Sequence, residues 1–255
     1  GALADRRQAE GNLEVSRATY RQIMGTMPGT LSRPDLPQPP APDGEQAAQL
    51  ADTQNPGVLA AIHDEAAAQI NVRAVTGELL PSVDLTANAS HSRNQAIEDR
   101  TTNTVSVTAA LTIPLYQTGS VSARVRAAKQ LADRARRLID EARRAAVQDA
   151  ASAWETLVAV RSRIEALSSQ VRAAQIALDG VTQEVTVGSR TVLDVLDAEQ
   201  ELLNAQVGLV GAQRDEIVAH FDLLTAVGGL TARGLSLPVD PYDEKEYYST
   251  IRNRW

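Results

Sequence analysis

The sequence predicts a mainly α fold: a long antiparallel coiled-coil helical hairpin, of the kind that builds α-barrels and tunnels, carrying one β-hairpin long enough to cross a membrane. Three observations predict it. Leu157, Val160, Ile164, Leu167, Val171, Ala174, Leu178, Val181 and Val185 recur in alternating steps of three and four, the seam of a coiled coil. Leu193, Leu196, Gln200, Leu203, Val207, Val210, Arg214, Ile217, Phe221 and Leu224 repeat that alternation, interrupted by one Gln and one Arg, and are expected to meet the first seam. Between residues 82 and 115 the apolar period changes to two, the mark of a half-covered strand pair.

The chain divides in order at its breakers. Residues 1–25 read as the tail of a helix, with Leu3, Leu13, Tyr20 and Ile23 set among polar residues and Gly25 closing it before Pro28-Gly29. The opening Gly1-Ala2-Leu3 runs straight into helical sequence, so the chain is expected to be a fragment of a longer protein, and a missing leader says nothing about export. Residues 26–54 read as an extended linker, because the prolines at 34, 37, 39, 40 and 42 deny it a helix or an inner strand. Met24-Gly25, Leu31 and Leu36-Pro37 echo Val227-Gly228, Leu230, Leu235 and Leu237-Pro238 at the far end, as the tails of two repeats would.

Asn55-Pro56 starts a helix over 55–80, with Asn as its cap and Pro in its first turn, and Pro81 stops it. Over 81–116, Val83, Leu85, Ala87 and Ala89 alternate with hydroxyl and carboxylate residues, and Val105, Val107, Ala109, Leu111, Ile113 and Leu115 alternate mostly with Thr and Ser. A polar turn from Arg93 to Thr102 joins them. Strands of about 12 residues tilted by about 45° rise a little under 30 Å, the depth of a bilayer's hydrocarbon layer. A lone strand pair cannot stand in lipid with unsatisfied edges, so strands from other repeats or subunits must close it. The same strands would also serve as one sheet of a soluble α+β domain, but the flanking rods of small residues supply no compact core for them to cover.

Residues 118–187 form the first long helix, about 100 Å if unbroken, and 188–228 the return helix. Gly188 provides the helix-ending turn, with Ser189 or Thr191 as the next cap. Ala127, Ala128, Ala135, Ala142, Ala146 and Ala150 lie off the seam and call for further helical neighbours. Residues 229–255 form a tail.

Composition excludes several classes of function. There is no cysteine and the net charge is -7, so disulfides, thiolate zinc sites and a thiol nucleophile are out. No HExxH, phosphate loop or Ser elbow occurs, and His63, His91 and His220 are scattered. Neither an enzyme nor a cofactor or metal site is expected. Asp133, Asp140 and Glu141 interleave with the basic run from Arg124 to Arg144, as on a solvated or interhelical face, and argue against nucleic acid. No apolar run is long enough for a transmembrane helix, a test that membrane strands escape. Asp194 and Asp197, with Glu199, can be read as ordinary helix-dipole partners in a first turn.

Three motifs converge on one family: Asn55-Pro56-Gly57-Val58-Leu59 opening a helix that ends Gly77-Glu78-Leu79-Leu80-Pro81-Ser82-Val83-Asp84-Leu85; Leu111-Thr112-Ile113-Pro114-Leu115-Tyr116; and Val187-Gly188-Ser189-Arg190-Thr191-Val192-Leu193-Asp194-Val195-Leu196-Asp197-Ala198. Together they resemble the second repeat of the TolC family of outer-membrane channel proteins. The tail, with Tyr242-Asp243, Tyr247, Ile251-Arg252 and Trp255, resembles members paired with type I secretion systems. The resemblance implies a homotrimer in the bacterial outer membrane whose trimeric 12-stranded β-barrel continues as a helical tunnel through the periplasm. Residues 26–54 and 229–255 would lie at that tunnel's equator. The implied activity is that of a passive exit duct for a tripartite efflux pump or type I secretion system, joined to a periplasmic adaptor protein and an inner-membrane transporter. This chain departs from the family in carrying one strand hairpin, with most of the first repeat missing.

Residue by residue, the resemblance implies that Asp194 and Asp197 line the periplasmic entrance as carboxylate rings, and that Arg190 belongs to the links that hold it shut. Val187, Gly188, Ser189 and Thr191 match the tip that meets the adaptor. A periplasmic coiled-coil adaptor would carry a similar helical hairpin, but is expected to set lipoyl-like and barrel segments around it and not a long Ser/Thr-alternating strand pair.

Overall fold

The computed structural model describes residues 2–32, 34–93, 101–240, 243–252 and 254. Residues 94–100 of the turn between the strands, and Tyr242 and Trp255 of the tail motif, lie outside the described residues. The chain forms two units, residues 1–38 and 39–255.

The first unit holds α1 (Ala2–Met24), an exposed helix whose Arg6–Glu10 and Arg17–Glu14 pairs stand one turn apart and contribute little beyond local helix support. It ends on Gly25 at φ +77, whose N–H donates to the Arg21 carbonyl at 2.9 Å. Irregular chain follows, as its prolines require.

The second unit contains α2 (Gly44–Gln54), α3 (Pro56–Gly77), β1 (Ser82–Arg93), β2 (Thr101–Thr112), α4 (Ser120–Thr186), α5 (Val192–Ala226) and α6 (Glu244–Arg252). The 67 residues of α4 make a rod of about 100 Å. α5 packs antiparallel along its lower part, and α2 and α3 along its upper part. The core where these meet is built from Ala47, Ala51, Val58, Ala146, Ala150, Leu157, Ala219 and Leu223, with Trp154 against its edge. Its alanines let helix axes approach closely, so little apolar mass suffices to join long rods.

Residues 44–54, expected as linker, are instead the helix α2. The prolines end at 42; Asp43 then caps the helix, its carboxylate accepting from the Gln46 N–H at 2.7 Å. Ala47 and Ala51 are fully buried one turn apart. The Trp154 indole lies so close to Gly44 that a Cβ there would stand 2.9 Å from Cδ1. Proline density therefore marks the segment before the helix, not the helix itself.

Asn55 joins three elements. It terminates α2 and caps α3, its Oδ1 accepting from the Gly57 N–H at 2.8 Å, while its Nδ2 donates to the Ala226 carbonyl at 2.8 Å near the end of α5. Beside it Gly228, at φ +79, turns the chain directly over the Gln54 carbonyl.

The strands pair antiparallel with Ser82 opposite Thr112 and Arg93 opposite Thr101. Val83, Leu85, Ala87 and Ala89 thus face Leu111, Ala109, Val107 and Val105 across one side of the sheet. β2 ends at Thr112, earlier than Leu115, where Pro114 cannot donate to a ladder. Both faces are open to their surroundings: Val83, Leu85 and Val107 are each about 70 % exposed. Where the strands meet the helices, Arg124 of α4 pairs with Glu78, the residue closing α3, with Nη1 3.2 Å from Oε1.

The seam of α4 is as expected, with Leu157 and Ala174 buried and Val160, Ile164, Leu167, Val171, Leu178, Val181 and Val185 half-buried. The seam of α5 holds only at its C-terminal end, where Ile217 and Phe221 are half-buried and Leu224 is buried. Leu193, Leu196, Leu203, Val207 and Val210 are exposed, Val207 at 64 %, and so are the interrupting Gln200 and Arg214. Over that exposed length the buried residues are instead Leu202, Ala205 and Ala212, followed by Ala219, His220, Leu223 and Leu224. Apolar periodicity finds the greasiest stripe. Close helix pairing uses the alanine stripe and leaves the larger residues facing outward.

Candidate functional site

The seven tip residues singled out above fall in the turn between the long helices and the first two turns of α5. α4 ends at Val187, which is 79 % exposed, and Gly188 turns the chain at φ +78 with its N–H donating to the Val185 carbonyl. Ser189 closes the end of α4 by donating from both its N–H and its hydroxyl to the Glu184 carbonyl, at 3.0 and 2.9 Å. α5 starts with a capping box: Asp194 Oδ2 accepts from the Thr191 N–H at 2.8 Å and from its hydroxyl at 2.7 Å, and the Asp194 N–H donates back to Thr191 at 3.4 Å. The cap is therefore Thr191, not Ser189.

Arg190 spans the turn. Its Nε donates to Glu184 Oε2 at 2.9 Å and its Nη1 lies 3.9 Å from Asp194 Oδ1, tying the end of α4 to the start of α5. Glu184 was not singled out from the sequence, because a partner six residues back across a turn follows neither helix spacing. The hydrogen bonds from Thr191 to Asp194, with the Arg190 charge adding to them, hold the Asp194 carboxyl below its ordinary value of 3.8. Its capping contribution is present above that value and is lost as the pH falls through the folded one. Asp197 stands exposed one turn further on. Two carboxylates thus sit on one side of a helix start, one fixed by the cap and one open to solvent.

Up the hairpin, polar pairs bridge α4 and α5: Gln170 with Glu201 at 3.4 Å, Arg163 with Asp215 at 3.9 Å and Arg161 with Glu216 at 3.3 Å. His220 lies beside the last of these, with no exposed surface and with neither ring nitrogen hydrogen-bonded among the described residues. Burial first, and the Arg161 charge second, lower its pKa from 6.5, against an opposing pull from Glu216. The folded chain therefore refuses a proton that the unfolded chain accepts. Thermal stability is expected to fall as the pH drops below about 6.5. His220→Leu should flatten that part of the pH profile, and an unchanged slope in the variant would assign it to other groups.

Among the described residues no cluster of His, Asp or Glu is arranged to hold a metal ion, and no helix is long and apolar enough to cross a membrane. What the geometry offers is a strand pair greasy on one side, a long rod and a charged tip.

The family model described as "Outer membrane efflux protein" matches residues 47–229. The chain is 38% identical over 259 residues to the outer membrane efflux protein BepC of Brucella suis, a match covering all of this chain and 56% of BepC. It is 28% identical over 252 residues to outer membrane protein TolC of Escherichia coli, covering 91% of this chain and 50% of TolC. Among solved structures, the open state of the MtrE outer membrane channel of Neisseria gonorrhoeae superimposes with a TM-score of 0.73 at 25% identity, over 89% of this chain and 52% of MtrE. The chain spans about half the length of these relatives.

Proposed function

Because the chain belongs to the outer membrane efflux protein family, in which the matched region runs from α2 to the end of α5, we propose that it is the strand-bearing half of an outer-membrane exit duct. The observation that carries this reading is the junction at Pro81 and Pro114. On one side lies a strand pair exposed on both faces, and on the other a 67-residue helix that begins at Ser120. Open strand edges need other strands to close them in lipid, and on the family likeness those come from other copies and from the other repeat, making the working protein a homotrimer with a shared 12-stranded barrel. The helices continue it as a tunnel into the periplasm. The exposed stripe of α5, Leu193 to Val210, then faces neighbouring helices of the tunnel wall. The duct serves a tripartite efflux pump or a type I secretion system and joins an inner-membrane transporter through a periplasmic adaptor.

The tip is its gate. Asp194 and Asp197, repeated by symmetry, ring the entrance with carboxylates that attract cations. Arg190 exchanges its partners Glu184 and Asp194 for those of adjacent helices as the entrance opens or closes. Val187, Gly188, Ser189 and Thr191 form the surface the adaptor meets, and the exposed Val187 side chain gives it an apolar point of contact.

The test is planar-bilayer recording of the full-length protein. Discrete conductance steps with block by multivalent cations from the periplasmic side are expected. Asp194→Asn with Asp197→Asn should weaken that block by tenfold or more, on the order of 1.4 kcal/mol or greater. Conductance with undiminished block in the double variant would remove the carboxylates from the entrance, and absence of conductance would overturn the duct itself.

A further inference from the structure

His220 is out of place in the core. It has no exposed surface, neither ring nitrogen is hydrogen-bonded among the described residues, and the Phe221 ring stands edge-on with centroids 6.0 Å apart. Leaving a buried imidazole without a hydrogen bond is costly, and an apolar residue of similar size would fill the space at no such cost. Packing alone therefore does not explain the residue.

Its surroundings supply a reason. Glu216 lies one turn earlier on α5, the i, i+4 spacing at which side chains share a face. Glu216 Oε1 also accepts from Arg161 Nε of α4 at 3.3 Å, one of the bridges between the two long helices. The two ends of that bridge differ: the Arg161 side chain is 45 % exposed and that of Glu216 only 17 %. The guanidinium can withdraw into water, whereas the less exposed carboxylate keeps its charge at little cost only beside a cation. The charged groups that act on His220 are these same two, Arg161 from α4 and Glu216 from α5. α2 and α3, the other helices of the core, add no charge that acts on it among the described residues; Asp52 of α2 is paired with Arg143 of α4 at 3.7 Å.

Glu216 thus stands between two cations, one of which exists only when His220 is protonated. With the ring neutral, the carboxylate bridges to the opposite helix. A charged ring is repelled by Arg161, attracted by Glu216 and, being buried, must be paired. A pair within α5 then replaces the bridge between α4 and α5. Burial sets the direction, because the folded ring takes its proton only below the ordinary value of 6.5, so the bridge is intact at neutral pH.

We propose that His220 is a proton-operated release of the Arg161–Glu216 bridge. A proton taken from solvent onto the ring transfers Glu216 from Arg161 to His220, turns Arg161 out to water and parts α4 from α5 at this level. The Arg163–Asp215 and Gln170–Glu201 pairs hold the rest of the hairpin together. In acid surroundings the hairpin gains a hinge beside its core. The device belongs to the helical hairpin alone and does not rest on the duct reading.

The test is hydrogen exchange read by mass spectrometry on the full-length protein in detergent, compared between about pH 7.5 and about pH 5, where ordinary carboxylates stay ionised. Backbone amides of 158–164 and 213–222, corrected for the intrinsic pH dependence of exchange, are expected to exchange roughly tenfold faster at the acid end, while those of 165–183 change little. His220→Leu should remove the acceleration. Exchange of the imidazole C2 hydrogen reads the protonation midpoint of His220 itself, which is expected below about 6.5. Arg161→Gln should raise that midpoint by removing the repelling charge, and Glu216→Gln should lower it by removing the partner. Both variants should also show faster backbone exchange around the bridge at neutral pH. Acid acceleration that persists in His220→Leu, or that spreads evenly along α4 and α5, would overturn the release, as would an unmoved midpoint in Glu216→Gln. Should His220→Leu not fold, the opposite midpoint shifts of the other two variants decide the matter alone.

Discussion

Gly228→Ala is expected to cost about 3 kcal/mol, read as a fall in the helical unfolding midpoint of roughly 6–12 °C. The residue sits at φ +79, where an L side chain is strained by about 1 kcal/mol. A Cβ there would also stand 2.4 Å from the Gln54 carbonyl oxygen and 3.0 Å from Pro56 Cδ. Backbone cannot rotate out of the way as a side chain can. The turn between α2 and α3 must therefore move, and with it the bond from Asn55 to the Ala226 carbonyl. Gly25→Ala is the control: its φ is +77, but nothing lies within 4 Å of the new methyl. It should cost only the strain of about 1 kcal/mol. Equal losses at the two glycines would show that the close approach at Gly228 contributes nothing.

Leu157→Ala is expected to destabilise by about 3–4 kcal/mol, measured by denaturant unfolding in detergent. Leu157 has no exposed surface and is among the largest fully buried side chains of a core otherwise dominated by alanine. Rods held at fixed separation by small residues cannot collapse into the space it leaves, so the cavity penalty falls in the upper part of the range. Adjacent residues on α5 give the comparison: Leu202 is turned to α4 and Leu203 is 51 % exposed. In the chain alone, Leu202→Ala should cost about 2 kcal/mol and Leu203→Ala less than about 0.5 kcal/mol. The reverse order would restore the seam expected from periodicity.

Much of this was legible from local signals. Asn55-Pro56 starts a helix because an amide cap and a fixed φ act within one turn. Gly188 and Gly228 end helices because only a residue without Cβ takes their backbone geometry at little cost. The strand faces followed from alternation, because a one-residue slip would exchange the greasy and hydroxyl faces. Thr191 and Asp194 spell out a capping box three residues apart, a pattern visible in Thr191-Val192-Leu193-Asp194. The tip residues were gathered by a motif contiguous in sequence, so no long-range information was needed to bring them together.

α2 and His220 were not legible. The length of α2 was hidden behind five prolines, and it is held by burial of Ala47 and Ala51 against α4, a contact more than 90 residues away in the chain. His220 follows Ala219, next to the alanine stripe of α5, and only the pairing with α4 seals it off.

By itself the sequence determined where α3 starts, where the strand pair lies and where α4 turns into α5, since capping, proline and period are properties of a few neighbouring residues. It determined the strand faces for the same reason. Only the tertiary structure decided which face of α5 meets α4. That choice turns on how closely two backbones can approach, which rewards alanine over leucine at a helical contact, and no count of apolar residues along one strand of sequence contains that distance.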